Sequence, residues 1–214
     1  MSDGSGRIGR RRMLAATAGL SALGGVAGCL SMLTGSDGYR VRLGEDADWQ
    51  SLTPVETGNS HRDAYCGSET DSCETAQHGL DGSDAIVLFA HRDATDEDAE
   101  DALVVTYDTP DDAGGTATLT LDESIDPEAD VIVADGPLEN SGSTADTYEQ
   151  DRFVHTWVDD YTDGAVVSLA ALSEPTLEFT DTQGLDEVVV VSGTDPANVE
   201  SYTADVGTPV SFEF

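Results

Sequence analysis

The sequence predicts an all-β protein, a single antiparallel β-sandwich of about ten strands, and three observations carry that expectation. Apolar and β-branched residues gather into short runs, mostly of five to seven; several of the runs alternate; and turn-forming dipeptides separate them. No stretch sustains the 3.6-residue period of a helix long enough to cross over a parallel sheet.

The first run, 39–43, sets Tyr39, Val41 and Leu43 against Arg40 and Arg42, the period-2 pattern of a strand with one face on a core. Strands are expected next at 85–90, 102–107 and 116–121, the last with Leu119 and Leu121 alternating with threonine. The runs 130–134 and 152–158 follow, the second alternating Phe153, His155 and Trp157. The remaining strands are 164–169, 176–180, 187–192 and 210–214, and Asp81-Gly82, Asp163-Gly164 and Ser192-Gly193 mark turns. Two short helical segments are predicted, an acidic stretch at 95–101 capped by Thr95 and a single turn at 197–202. Ten strands without intervening helices imply a Greek-key or jelly-roll sandwich with acidic loops at both ends.

Charge bounds the rest. Forty-three acids stand against nine arginines and no lysine, a formal net charge of -34 over 214 residues. Such self-repulsion opposes compaction in dilute buffer and is largely screened in molar salt, where the screening length falls to about 3 Å. A halophilic source follows, and Val (nineteen residues) against Ile (four) agrees with it. Leu, Ile, Val and Phe total 45 residues, near the composition of disordered chains, but their grouping into strand-like runs argues for a fold. Nucleic acid is excluded as a partner, because phosphate binding needs a basic stripe and this chain has none.

The N-terminus reads as a three-part export signal: Arg7, Arg10, Arg11 and Arg12, an uncharged run over 13–28, then Val26-Ala27-Gly28-Cys29. Sixteen residues would span only about 24 Å as a helix, short of the roughly 30 Å hydrocarbon core, so cleavage is expected rather than a permanent span. Arg10-Arg11-Arg12-Met13-Leu14 resembles the core of twin-arginine signals, and Val26-Ala27-Gly28-Cys29 resembles the lipobox of lipoproteins; together they resemble the exported lipoproteins of halophilic archaea. That resemblance implies a signal peptide over 1–28, a lipidated Cys29 with a short linker over 29–38, and a sandwich domain over 39–214, held on the outer face of the cell membrane. The mature part keeps 42 acids and five arginines, a formal -37, so its surface is repelled by anionic headgroups and the lipid must provide the anchoring.

Few residues point to catalysis. Without lysine there is neither a P-loop lysine nor a Schiff base, and the mature part holds no G-x-S-x-G. Cys66 and Cys73 lie in a loop rich in Gly, Ser and Asp, where a disulfide is expected outside the cell. His61 precedes Cys66 by five residues and His78 follows Cys73 by five, so the same four residues would also supply two nitrogens and two sulfurs to zinc or copper. Asp159, Asp160 and Asp163 offer hard oxygens to calcium beside Gly164, against the alternative of a solvated acidic turn. Asp160-Tyr161-Thr162-Asp163 resembles the D-Y-N-D calcium turn of some secreted prokaryotic β-sandwich domains, which implies calcium there. Two functional classes follow. One is a non-enzymatic binding or structural module of the cell envelope, stabilised by calcium. The other is a metal-dependent hydrolase or redox protein using His61, Cys66, Cys73 and His78, joined by His91 or His155.

Overall fold

The computed structural model describes residues 38–58, 60, 61, 65, 85–107, 115–134, 146–157 and 163–214. In chain order the elements are β1 (Arg40–Leu43), β2 (Gln50–Ser51), β3 (Val55–Thr57), β4 (Ile86–Asp93), β5 (Ala102–Tyr107) and β6 (Gly115–Leu121). The helix α1 (Pro127–Asp130) comes next, then β7 (Val131–Ala134), β8 (Thr147–Tyr148), β9 (Arg152–Trp157) and β10 (Asp163–Ser168). A 3-10 turn (Leu169–Ala171) leads into β11 (Thr176–Thr180), β12 (Glu187–Ser192), β13 (Glu200–Asp205) and β14 (Val210–Glu213).

The strands form two packed sheets. One runs β2-β1-β14-β11-β6-β9-β8, and the other runs β13-β12-β4-β5-β10-β7 with β3 also on β4. The expected all-β sandwich is present, and each of its ten predicted strands is found. The pairing is antiparallel except at β4, which takes β12 in parallel from Ile86 to Phe89 and β3 in parallel from His91 to Asp93. The physical cause is the length of β4: eight residues give an edge long enough for two short strands end to end. The corner between them is closed by Thr53 N donating to Ser192 Oγ at 2.9 Å, Gly193 N to the Thr53 carbonyl at 3.0 Å and Glu56 N to the Thr194 carbonyl at 2.9 Å.

Both helical expectations are corrected. Over 95–101 the chain makes turns, because Asp93 Oδ1 takes Thr95 N at 2.8 Å and Thr95 Oγ1 at 2.6 Å, and Asp96 Oδ1 takes Asp98 N at 3.1 Å. These local bonds satisfy the amides a helix would need, and its acids would repel one another one turn apart. Over 197–202 the chain makes no helical turn: Asn198 N donates to the Asp195 carbonyl at 2.8 Å in a short turn, and from Glu200 the chain enters β13, whose partners Glu187↔Asp205 through Ser192↔Glu200 make a hairpin with β12. Its acids stand at the sheet edge, where charge discourages further pairing. A helix does form at α1, started by Asp126, whose side chain accepts from Glu128 N, and by Pro127 in the first turn.

Burial differs between the sheets. In β11, Leu177 and Phe179 are buried while Glu178 and Thr180 are exposed, the alternation of a one-faced strand. In β4 and β5 both sets of side chains are buried. Ile86, Leu88, Ala90, Leu103, Val105 and Tyr107 face the core between the sheets, whereas Val87, Phe89, Ala102 and Val104 join a second cluster with Val55, Tyr65 and Val133. Continuous apolar runs such as IVLFA are what a strand covered on both faces requires. Among the described residues no helix is long and apolar enough to cross a membrane.

Candidate metal centre

At one end of the sandwich the two sheets contribute to a single polar cluster, two of whose three side chains are buried. From the first sheet comes β9, whose inward positions are Phe153 and His155, both fully buried. Asp146 stands just before β8, held against β9 by Thr156 N donating to its Oδ1 at 2.8 Å. From the second sheet, β10 begins with Asp163, directly opposite Tyr107 of β5. Asp146, His155 and Asp163 each bring one ligand-type atom within 4.8 Å of the others.

Local backbone geometry sets Asp163 in place. Gly164 lies so close to β5 that a Cβ there would stand 2.0 Å from the Val105 carbonyl oxygen, so only glycine lets β10 approach. The amide of Gly164 donates to Asp163 Oδ1 at 2.6 Å, and Tyr148 Oη donates across the sheets to the Gly164 carbonyl at 3.4 Å. His155 is packed by aromatic rings, with Tyr107 at 4.8 Å and Tyr148 at 5.4 Å between centroids.

The electrostatics are those of a buried acidic site. Asp163 is 4 % exposed, and His155 Nδ1 lies 3.4 Å from its Oδ1. That separation is long for an N–H···O bond, whose usual length is about 2.9–3.0 Å. The other ring nitrogen, His155 Nε2, is buried without a hydrogen-bond partner. Burial pushes the Tyr107 hydroxyl pKa well above its ordinary value, and Asp163, Tyr148 and Asp146 add to the shift, so the phenol stays protonated.

A second buried pair lies along β4. His61 Nδ1 is 2.6 Å from His91 Nδ1, His91 Nε2 is 2.8 Å from Thr57 Oγ1, and His61 Nε2 is 2.7 Å from the Glu100 carbonyl. A carbonyl only accepts, so His61 Nε2 donates to Glu100; with His61 Nδ1 as an acceptor, His91 Nδ1 donates to it and His91 Nε2 accepts from the threonine hydroxyl. Two neutral imidazoles satisfy the whole chain. Burial first, then the neighbouring His61, lowers the His91 pKa to about 4, against the opposing pull of Asp93 and Asp101.

Of the residues singled out in the sequence, Asp163 lies in the first cluster and His61 in the second. Both ring nitrogens of His61 are engaged in hydrogen bonds, so a metal would have to displace one of them. Arg10, Arg11, Arg12, Cys29, Cys66, Cys73, His78, Asp159 and Asp160 lie outside the described residues. Asp146 carries no signal in the sequence, being one acid among forty-three, and only the β8–β9 pairing brings it to His155. Two surface depressions, one of about 320 Å³ by Tyr39, Asp101 and Phe214 and one of about 450 Å³ by Leu43, Gln50 and Tyr202, are lined by neither cluster. Comparison with protein-family models, curated proteins and solved structures finds no match.

Proposed function

We propose that this chain is an exported lipoprotein of a halophile, held on the outer face of the cytoplasmic membrane through lipid on Cys29 and serving the cell envelope as a non-enzymatic binding or structural module. The single observation that carries the proposal is the order of the first segment: Arg10-Arg11-Arg12, an uncharged run, then Val26-Ala27-Gly28-Cys29. The strongly acidic domain that follows supports it, since its charge suits concentrated salt and leaves anchoring to the lipid. The twin-arginine route moves folded proteins, which suits a domain that folds in cytoplasmic salt. Beyond the membrane the remaining cysteines, Cys66 and Cys73, pair as a disulfide in this reading.

Cys29→Ser tests it. The substitution removes the sulfur that would carry the lipid, so the protein should move from the membrane fraction to the medium or persist as an unprocessed precursor. Fractionation and processing identical to the parent would overturn the lipoprotein assignment.

A further inference from the structure

We infer that Asp146, His155 and Asp163 form a binding site for one divalent transition-metal ion of the zinc class, set between the two sheets. The inference goes beyond the envelope reading and stands independently of it. It gives Asp163, one of the three acids expected to bind calcium, a different ion and two different partners.

The donor set decides the kind of ion. Calcium takes six to eight oxygens, supplied by carboxylates, carbonyls and water. An imidazole nitrogen suits zinc, copper, iron or nickel, and two carboxylates beside it suit a borderline ion rather than a soft one. One imidazole and two carboxylates are three protein ligands, which is the number that leaves a fourth tetrahedral position open on zinc.

The spacing of one pair of these atoms is that of two ligands on one ion, and Asp146 brings its own ligand atom within 4.8 Å of both. Ligands at about 2.0–2.1 Å on a tetrahedral ion stand about 3.4 Å apart. His155 Nδ1 and Asp163 Oδ1 are 3.4 Å apart, too far for a strong hydrogen bond and right for two ligands of one ion. The second sign is burial. His155 is fully buried and Asp163 is 4 % exposed, yet the contact between them at Nδ1 is too long for a strong hydrogen bond. An ion bound at Nδ1 would give the Asp163 carboxylate the charge compensation that burial demands.

Position gives the site a consequence. Asp146 and His155 belong to the sheet that holds β8 and β9, and Asp163 to the sheet that holds β10. An ion shared among them ties the two sheets together, so it binds the folded state and raises the melting temperature.

The test titrates zinc into the full chain after chelation, in molar potassium chloride, and follows the melting temperature. Cobalt serves as the spectroscopic probe, since a nitrogen-and-oxygen site of low coordination gives it visible absorption. Zinc should raise the melting temperature saturably at one equivalent, and calcium should not. Asp146→Asn keeps the shape of a half-buried side chain and should weaken zinc binding by more than about tenfold, because losing a ligand exceeds the roughly 10–100-fold effect of losing an outer partner. His155→Gln should abolish the cobalt spectrum. If that buried substitution fails to fold, Asp146→Asn and Asp163→Asn decide the matter alone, with circular dichroism confirming their fold. A zinc response that survives Asp146→Asn and Asp163→Asn, no zinc response in the parent, or an equal response to calcium would each overturn the assignment.

Discussion

His91 shows what one buried side chain does to the stability of the whole. Its ring is fully buried, with Nδ1 2.6 Å from His61 Nδ1 and Nε2 2.8 Å from Thr57 Oγ1. The pKa therefore falls from 6.5 to about 4, burial being the larger cause and His61 the next, while Asp93 and Asp101 pull the other way. The unfolded chain binds the proton more readily than the folded one, so the stabilisation is complete above about pH 6.5 and is lost as pH falls toward 4. The size of the effect is about 3 kcal/mol. Thermal unfolding at fixed molar salt should show the loss across that window, and His91→Gln, which keeps a donor and an acceptor but does not titrate, should flatten it. An equal loss in the substituted protein would place the titration elsewhere.

Among the elements, β4 departs furthest from a plain sandwich. A strand with one solvated face would carry polar residues at every second position, as β11 does with Glu178. In β4 the alternate residues Val87 and Phe89 pack on Val104, Val166 and Val191 instead. Phe89→Ala should therefore cost about 3–5 kcal/mol, as for an aromatic in a closed core. Glu178→Ala should change stability by no more than about 0.5 kcal/mol. Denaturant unfolding of the two variants distinguishes the cases, since a small effect at Phe89 would mean that this face is open to water. The same β4 edge explains why β3 was not anticipated. Three residues carry no period, and the strand exists only because His91 to Asp93 offer it a ladder.

For the whole molecule the governing quantity is charge. Ion pairs such as Arg92 with Asp101, where Nε and Nη2 donate at 2.9 and 2.6 Å, offset a few of the 43 acids, and nine arginines cannot offset the rest. The protein should unfold as salt drops from molar to about 0.1 M, where the screening length grows from about 3 Å to about 10 Å. Far-ultraviolet circular dichroism should report the loss, and salt restored should bring the signal back. A domain equally stable at both concentrations would sever the link between this composition and a saline habitat.

The sequence by itself determined the class of the fold and the ten principal strands, because alternation and turn residues are local and survive in one dimension. It also carries the acidity and the Arg-rich, lipobox-like first segment, on which the envelope proposal rests. Only the tertiary structure decided which strands are neighbours, that β4 takes two parallel partners, and that the 95–101 and 197–202 stretches are turns and strand rather than helix. The sites belong to that second group. His155 stood in the sequence as one inward residue of an alternating strand, and Asp163 as part of an acidic turn. Their meeting with Asp146, and that of His61 with His91, depends on ladders between distant segments, and side chains brought together across two sheets leave no period in the chain to read.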